Sequence, residues 1–436
     1  MPPIHIIYHG YMNFDIQACI QLITIDRIRK GVIIIFTRRA ILKKIDPELM
    51  KTMNTMSDQS VSIILHSHKG CDDICQETLA KLGAKVKYQY PLIDSFSVEI
   101  PSSKLLDLAA ARYVKYITAD ASVKAQMDIA SQEVKAHILN RTGYTGKGVG
   151  IAIIDTGIYP HMDFLRPTNR IKAFKDFVDN KDLPYDDNGH GTFVAGVAAG
   201  SGYRSRGKYQ GIAPEADIIA LRALNKNGSG STSDILAAIQ WIADNQEKLN
   251  IKVLSMSLGT QAKRLSSNDA MIRGVEALWD RGVTVVVAAG NSGPQPSTIT
   301  SPGVSSKVIT VGAADDKRTP DISDDTIAEF SSRGPVGMRI KPDVVAPGVK
   351  VVSVNTDKEY KSGQRNILSP VPYTTMSGTS VATPIVSGSV ALLLEKNPSW
   401  TPNQIKKVLM DNAIPIVKDA NAEGRGIIDL EKIIRD

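Results

Sequence analysis

Five apolar runs, set apart by stretches long enough for helices, limit this chain more than any other feature. They are Val149-Gly150-Ile151-Ala152-Ile153-Ile154, Ile218-Ile219-Ala220-Leu221, Val253-Leu254-Ser255-Met256-Ser257-Leu258, Val283-Thr284-Val285-Val286-Val287-Ala288 and Val308-Ile309-Thr310-Val311. A strand with one wet face alternates apolar and polar residues, whereas a strand buried on both faces reads as a continuous apolar run. Helical patterns fall between them, over residues 233–245 and 270–281, and again over 401–411, with a short closing helix at 430–434. The expected fold is therefore α/β, a parallel sheet sandwiched by helices. Sites in such sheets form at the carboxyl ends of the strands. Asp155 and Asn291 both stand just past a strand end.

Three short segments carry chemistry-bearing residues at the ends of elements. The first apolar strand runs into Asp155-Thr156-Gly157. Asp186-Asp187-Asn188-Gly189-His190-Gly191-Thr192 puts a histidine at the mouth of a small-residue helix. Thr375-Met376-Ser377-Gly378-Thr379-Ser380-Val381-Ala382-Thr383-Pro384 leads into the apolar helix that continues through Leu394. Taken alone, Gly-Thr-Ser before a helix reads as an N-cap. With an acid and an imidazole supplied elsewhere, a serine at a helix start becomes a candidate nucleophile, because unpaired N–H groups beside it can hold an oxyanion. Acid, base and hydroxyl are the parts of an acyl-transfer site.

These segments resemble the subtilisin-like serine proteases, the subtilases, over residues from about 125 to 436. Asp155-Thr156-Gly157, His190-Gly191-Thr192 and Gly378-Thr379-Ser380-Val381-Ala382-Thr383-Pro384 match in the order Asp, His, Ser that marks that family. Ala288-Ala289-Gly290-Asn291-Ser292-Gly293 resembles the stretch bearing its oxyanion asparagine. Phe193 departs from the pattern, since many members carry a second histidine there. The resemblance implies a serine endopeptidase in which Asp155 orients His190, His190 activates Ser380, and Asn291 helps to hold the oxyanion. It also implies that Gly228, Ser229, Gly230, Ser257, Leu258 and Gly259 flank the substrate backbone, with Ala288, Ala289 and Gly290 bordering a roomy side-chain pocket. Exposed Gly- and Ser-rich edges suit pairing with an extended peptide. The chemistry requires no cofactor. A structural Ca2+ is allowed by the resemblance, with Asp163 as the matching ligand, but the loop Gly202-Tyr203-Arg204-Ser205-Arg206-Gly207-Lys208-Tyr209 is basic where a hard cation wants oxygens. The acid-rich loop Asp315, Asp316, Asp321, Asp324 and Asp325 is expected to be solvated.

Residues 60–122 read as β-α-β-β-α-β, a ferredoxin-like unit. Placed before a subtilase domain, it resembles an inhibitory propeptide, a partner carried in the same chain. Residues 120–126 are polar and small and read as a flexible linker, with self-cleavage expected near 118–128. Residues 1–59 form a basic lead in which no chemistry is legible. The domains are thus expected at 1–59, 60–122 and 123–436. His66, His68, Cys71 and Cys75 lie within ten residues, but their spacing fits no standard zinc motif, so no metal is expected there. The turn Gly143-Tyr144-Thr145-Gly146-Lys147-Gly148 precedes a strand, whereas a dinucleotide fingerprint follows one.

The net charge is +7, spread along the chain without a long basic block, which argues against a nucleic-acid partner. Val32-Ile33-Ile34-Ile35-Phe36 is too short to cross a membrane. The start of the chain lacks the features of a signal peptide, and all three cysteines precede the catalytic region; a cytoplasmic location is expected. Two other classes are weaker. A non-catalytic scaffold predicts a missing triad member, and none is missing. An esterase of the α/β-hydrolase type predicts a Gly-x-Ser-x-Gly elbow with serine first in order, whereas here Ala382 holds the last glycine position and the serine comes last.

Overall fold

A computed structural model describes residues 41–46, 49–50, 60–68, 72–120, 122–125, 134–260, 269–317, 322–364, 369 and 371–435. The chain divides into two compact units, residues 1–85 with 99–119, and residues 86–98 with 120–436.

The small sheet is built from β1 (Ser60–Ser67), β2 (Lys85–Tyr90), β3 (Ser95–Pro101) and β4 (Val114–Ala119), with α1 (Asp72–Lys81) after β1 and α2 (Leu105–Ala110) after β3. Its strand order is β2-β3-β1-β4, the arrangement that a β-α-β-β-α-β unit requires. Ile63, Leu65, Val114, Ile117, Leu105 and Leu108 are buried. β1 and β4 pair antiparallel, with Leu65 opposite Ile117. The lead adds to the free edge of β4: Asp46 N donates to Ile117 O at 2.9 Å and Ile117 N to Lys44 O at 2.7 Å. Covering that edge removes a row of unpaired backbone groups. Of the histidine and cysteine cluster, His66 and Cys75 are buried, and Cys71 lies outside the described residues. No group of three or more His, Cys, Asp or Glu side chains suited to a metal occurs among the described residues.

Among the described residues the large sheet has eight strands: β6 (Gly150–Asp155), β7 (Ile171–Asp176), β8 (Asp217–Arg222), β10 (Ile251–Met256), β12 (Thr284–Ala288), β13 (Ile309–Asp315), β14 (Thr326–Ile327) and β15 (Val344–Pro347). The order is β14-β13-β12-β10-β6-β8-β7, with β15 also on β13. All of these pairs are parallel except β13 with β14. After β6 the chain first builds β7 and β8 on one side, then crosses to β10 on the other. The carboxyl ends of β6 and β10 therefore flank a switch point, where ligands bind in open α/β sheets. Helices among the described residues include α3 (Ala136–Arg141), α4 (His190–Ala199), α5 (Thr232–Asn245), α6 (Ala270–Asp280), α7 (Thr379–Lys396) and α8 (Pro402–Asp411), with a short closing one at Leu430–Arg435. α4 and α7 have apolar side chains buried nearly all round, as helices enclosed on all sides must. They pack closely because Gly388 carries no Cβ: one placed there would lie 2.8 Å from Ala198 O. Among the described residues no helix is long and apolar enough to cross a membrane.

One difference from the sequence reading bears on function. Residues 122–125, expected as flexible linker, form a strand, β5 (Ser122–Ala125). It lies between β9 (Ser229–Ser231) and β11 (Leu258–Gly259) and is antiparallel to both. No local pattern marks these residues as a strand; two waiting backbone edges make them one.

Beneath β13, Lys341 is buried with its ammonium on Asp343 Oδ2 at 2.6 Å and Thr310 Oγ1 at 2.7 Å. Lys406 holds the other carboxylate oxygen, Oδ1, at 2.9 Å. Burial pulls the Lys341 ammonium down from the ordinary 10.5 to about 8, against the opposing attraction of Asp343. Between those values the unfolded chain binds the proton and the folded chain does not, so the contribution of Lys341 to stability rises with pH across that window. Wild-type Lys341 is expected to gain on Lys341→Met between pH 7.5 and pH 10 in urea unfolding. A stability gap that narrows with pH would contradict this.

Candidate active site

Asp155 ends β6, where the turn that follows needs Gly157. His190 opens α4 behind the turn Asp186–Gly189. The two elements meet because Gly191 is bare: a Cβ there would sit 2.3 Å from Gly157 O and 3.2 Å from Asp155 Cβ. The imidazole and carboxylate are both buried, with His190 Nδ1 2.7 Å from Asp155 Oδ1. The same oxygen accepts from Thr156 N at 2.7 Å. A carboxylate on Nδ1 makes that nitrogen the protonated one and leaves Nε2 as the basic face of the neutral ring.

Ser380 is the second residue of α7, after Thr379 and the helix-start glycine Gly378. Its Oγ is buried and has no hydrogen-bond partner among the described residues. Its N–H belongs to the first turn of the helix, where amides lack intrahelical acceptors. Pro384, inside the helix, has no N–H to give to Ser380 O. Ser257, just past β10, donates its hydroxyl to that carbonyl at 2.6 Å instead. The proline thus opens an acceptor that anchors the serine's backbone to the end of a sheet strand.

Asn291 follows β12. Its Oδ1 accepts from Thr379 N and from Thr379 Oγ1, each at 2.9 Å. Because Thr379 N can only donate, the amide oxygen is fixed on this side and Nδ2 is the group left to donate elsewhere. Gly290 N is held by Thr379 Oγ1 at 3.2 Å. The structure thus brings Asp155 onto His190, and Asn291 onto the residue preceding Ser380.

The residues expected to flank a peptide fall as follows. Ser229 and Gly230 lie in β9, with Gly228 in the turn before it; Leu258 and Gly259 form β11, while Ser257 points back to Ser380 O. β5 occupies the gap between them: Ala125 pairs with Leu258, Lys124 with Gly259 and Ser229, Val123 with Gly230. Ala289 and Gly290 stand against a residue unreadable in the sequence, Thr300. The Thr300 side chain lies against both Gly259 and Gly290 and bonds to Ala289 O at 3.2 Å. Nothing in the run Ser297-Thr298-Ile299-Thr300-Ser301 marks this threonine out.

The residues around Asp163 do not fit a calcium ion. The carboxylate is buried, and protein donors take both its oxygens: Arg204 N on Oδ1 at 2.9 Å and Tyr373 OH on Oδ2 at 2.8 Å. His161 stands 3.5 Å from Oδ1, but burial pushes this imidazole down to about 4. It is a neutral acceptor, taking the Asp163 N–H at 3.1 Å, and not an ion-pair partner. The adjoining loop brings Arg204, Arg206 and Lys208 where a hard cation would need oxygens. In the acid-rich loop, Lys317 pairs with Asp315 at 2.6 Å, and Asp321 lies outside the described residues.

A buried acid–imidazole pair at the start of α4 and a serine at the start of α7, the helix packed against it, are the parts of a serine hydrolase working by acyl transfer. Comparison with known proteins narrows the class. Residues 146–429 match the profile described as the Subtilase family. The chain is 42% identical over 392 residues to serine protease AprX of Bacillus subtilis (strain 168), covering 86% of this chain and 88% of that one. It is 32% identical over 351 residues to the alkaline protease of Alkalihalobacillus alcalophilus, covering 80% and 81%. In fold it is similar to fervidolysin from Fervidobacterium pennivorans, described as a keratinolytic enzyme related to subtilisin. There the TM-score is 0.70 at 21% identity, over 87% of this chain and 61% of that one. The chain belongs to the subtilase family of serine proteases.

Proposed function

We propose that this chain is an endopeptidase made as an autoinhibited proenzyme, with Asp155, His190 and Ser380 as its triad and β5 as its own first substrate. The observation that carries this reading is the seat of β5. A strand of the same chain runs antiparallel between β9 and β11, the two edges expected to hold a substrate peptide. Further anchors meet at Ser233. Asp120 accepts from Ser233 N at 2.7 Å at the start of α5, and Tyr90 OH donates to Ser233 O at 2.7 Å. On this reading the small N-terminal domain is a propeptide, and the strand register narrows the expected cut from 118–128 to the bonds just after Ala125.

In the mechanism, His190 Nε2 takes the proton of Ser380 as Oγ attacks the peptide carbonyl. Asp155 keeps Nδ1 protonated and offsets the charge of the imidazolium. The oxyanion is held by Asn291 Nδ2 and Ser380 N–H. His190 then protonates the departing amine, and water drawn across the same imidazole hydrolyses the acyl-enzyme. Protein and peptide substrates enter by strand addition between β9 and β11. No step requires a metal or a cofactor.

The test is an intact-mass time course on the purified full-length chain, with and without a sulfonyl fluoride, which sulfonylates nucleophilic serines with loss of fluoride. The expected result is a cut within residues 125–128, blocked by the reagent, with the adduct on Ser380. A chain that stays whole across pH while degrading a denatured protein would remove the self-processing half of the proposal. A chain that neither cuts itself nor takes up the reagent would remove the whole.

Asn291 carries a separate prediction. Asn291→Ala is expected to lower kcat about 10²–10³-fold with KM little changed, because Nδ2 bonds the oxyanion and not the ground-state carbonyl. Peptide hydrolysis measured to saturation checks it; a loss confined to KM would assign Asn291 to substrate binding.

A further inference from the structure

We propose that Asp186 sets the distance and orientation of the Asp155–His190 pair; it is a positioning residue, and the proposal rests on the triad reading above. Asp186 is buried at 2% exposure in the turn before α4, and its carboxylate gathers donors from both sides of the pair. Oδ1 accepts from Thr156 Oγ1 at 2.9 Å, Asn188 N at 3.1 Å and Gly189 N at 2.8 Å. Oδ2 accepts from Thr192 N at 2.9 Å and Thr192 Oγ1 at 2.7 Å.

The bonds to Asn188 and Gly189 are local and would form in any Asx turn. Those to the threonines are not local. Thr156 follows Asp155 directly, and Thr192 lies two residues past His190. One carboxylate thus ties the loop that delivers the acid to the helix turn that delivers the base. The tie is doubled: Thr156 Oγ1 accepts from Gly191 N at 2.9 Å, and Thr192 Oγ1 accepts from Tyr159 N at 2.8 Å. Thr356 Oγ1 holds the backbone of Asp186 itself, donating to its carbonyl at 2.9 Å. The acid and base side chains have 2.7 Å between them, a separation that their backbones must hold to a few tenths of an ångström.

The chemistry requires a carboxylate. Five donors converge, three of them backbone N–H groups that cannot reverse. An amide offers one accepting oxygen, and its NH2 must then face either Thr192 N or the N–H pair of Asn188 and Gly189. Asp186→Asn therefore pushes one side of the tie apart while leaving volume unchanged. Misplacing a catalytic group by about 1 Å can lower the rate about 10²-fold.

The experiment is a double-mutant cycle of Asp186→Asn with Asp155→Asn, with kcat expressed per active site titrated by the sulfonyl fluoride and Tm followed alongside. Asp186→Asn is expected to lower kcat about 10–100-fold with KM within about twofold. In the Asp155→Asn background it should cost little further, because the negative charge whose distance from the imidazole Asp186 sets is already gone. An unchanged kcat per titrated site with a lowered Tm would overturn the proposal and leave Asp186 a stabiliser of the turn. Full additivity with Asp155→Asn would also overturn it. Near wild-type activity in Asp155→Asn alone would instead overturn the triad reading beneath it. Should Asp186→Asn fail to fold, Thr156→Val and Thr156→Ser take its place. The valine is expected to lower kcat several-fold and the serine, which keeps the hydroxyl, to restore it; equal rates for the two would refute the role.

Discussion

Ser380→Ala is expected to lower kcat/KM for a peptide substrate by about 10⁴–10⁶-fold while leaving the fold intact. The loss is large because no general base can substitute for a missing nucleophile. What survives is the rate that the oxyanion donors, Asn291 and the helix-start N–H, confer on attack by water. The fold is spared for a reason visible in the structure: Ser380 Oγ has no hydrogen-bond partner among the described residues, so its removal orphans no donor or acceptor there. The contacts that hold this turn are made by the backbone and by Thr379, through Ser257 Oγ to Ser380 O and Asn291 Oδ1 to Thr379. Hydrolysis of a fluorogenic peptide, with thermal unfolding alongside, checks both halves. Activity above about one per cent of wild type would show that another group attacks, and a lowered Tm would show that Oγ holds structure. The same variant should stay full length on storage.

How much of this was legible before the structure depends on whether a residue's role is written in its neighbours. The strands β6, β8, β10 and β12 announce themselves as uninterrupted apolar runs, because burial on both faces leaves no room for polar alternation. Asp155, His190 and Ser380 are marked by the small residues around them, which exist so that backbones can approach; Gly191 against Gly157 is an instance. β5 is different. Ser122-Val123-Lys124-Ala125 has no strand pattern, and its conformation comes from two edges more than a hundred residues downstream. Thr300 reaches Gly259 and Gly290 from a segment in which no local signal marks it. At Asp163 the sequence does show that the adjoining loop is basic. It does not show that Tyr373, 210 residues away, takes the oxygen a cation would need. Asp186 is the subtlest case: an acid before a helix reads as a cap, and only the two threonines meeting on it show that it joins separate elements.

Asp155→Asn separates charge from geometry at the pair itself. In many acid–imidazole pairs the amide replacement turns its NH2 toward the ring and selects the wrong tautomer. Here Asp155 Oδ1 also accepts from Thr156 N, a backbone donor that demands an oxygen. The other oxygen, Oδ2, is buried without a partner among the described residues, so an amide can place its NH2 there with the carbonyl still facing His190. The orientation and the Nδ1–H tautomer are then kept, and what disappears is the negative charge that offsets the imidazolium as the serine proton moves. In a buried, low-dielectric site that charge alone is worth a large factor, and kcat is expected to fall about 10³–10⁴-fold with KM little altered. Asp155→Ala, which also removes the hydrogen bond to Nδ1, should fall further. Saturation kinetics on the two variants, each folded by circular dichroism, provide the check. Equal losses would mean that Thr156 fails to hold the amide oxygen in place and that the tautomer is lost in both. A loss under tenfold in Asp155→Asn would mean that the imidazolium charge is offset by another group and that Asp155 does no more than hold the ring.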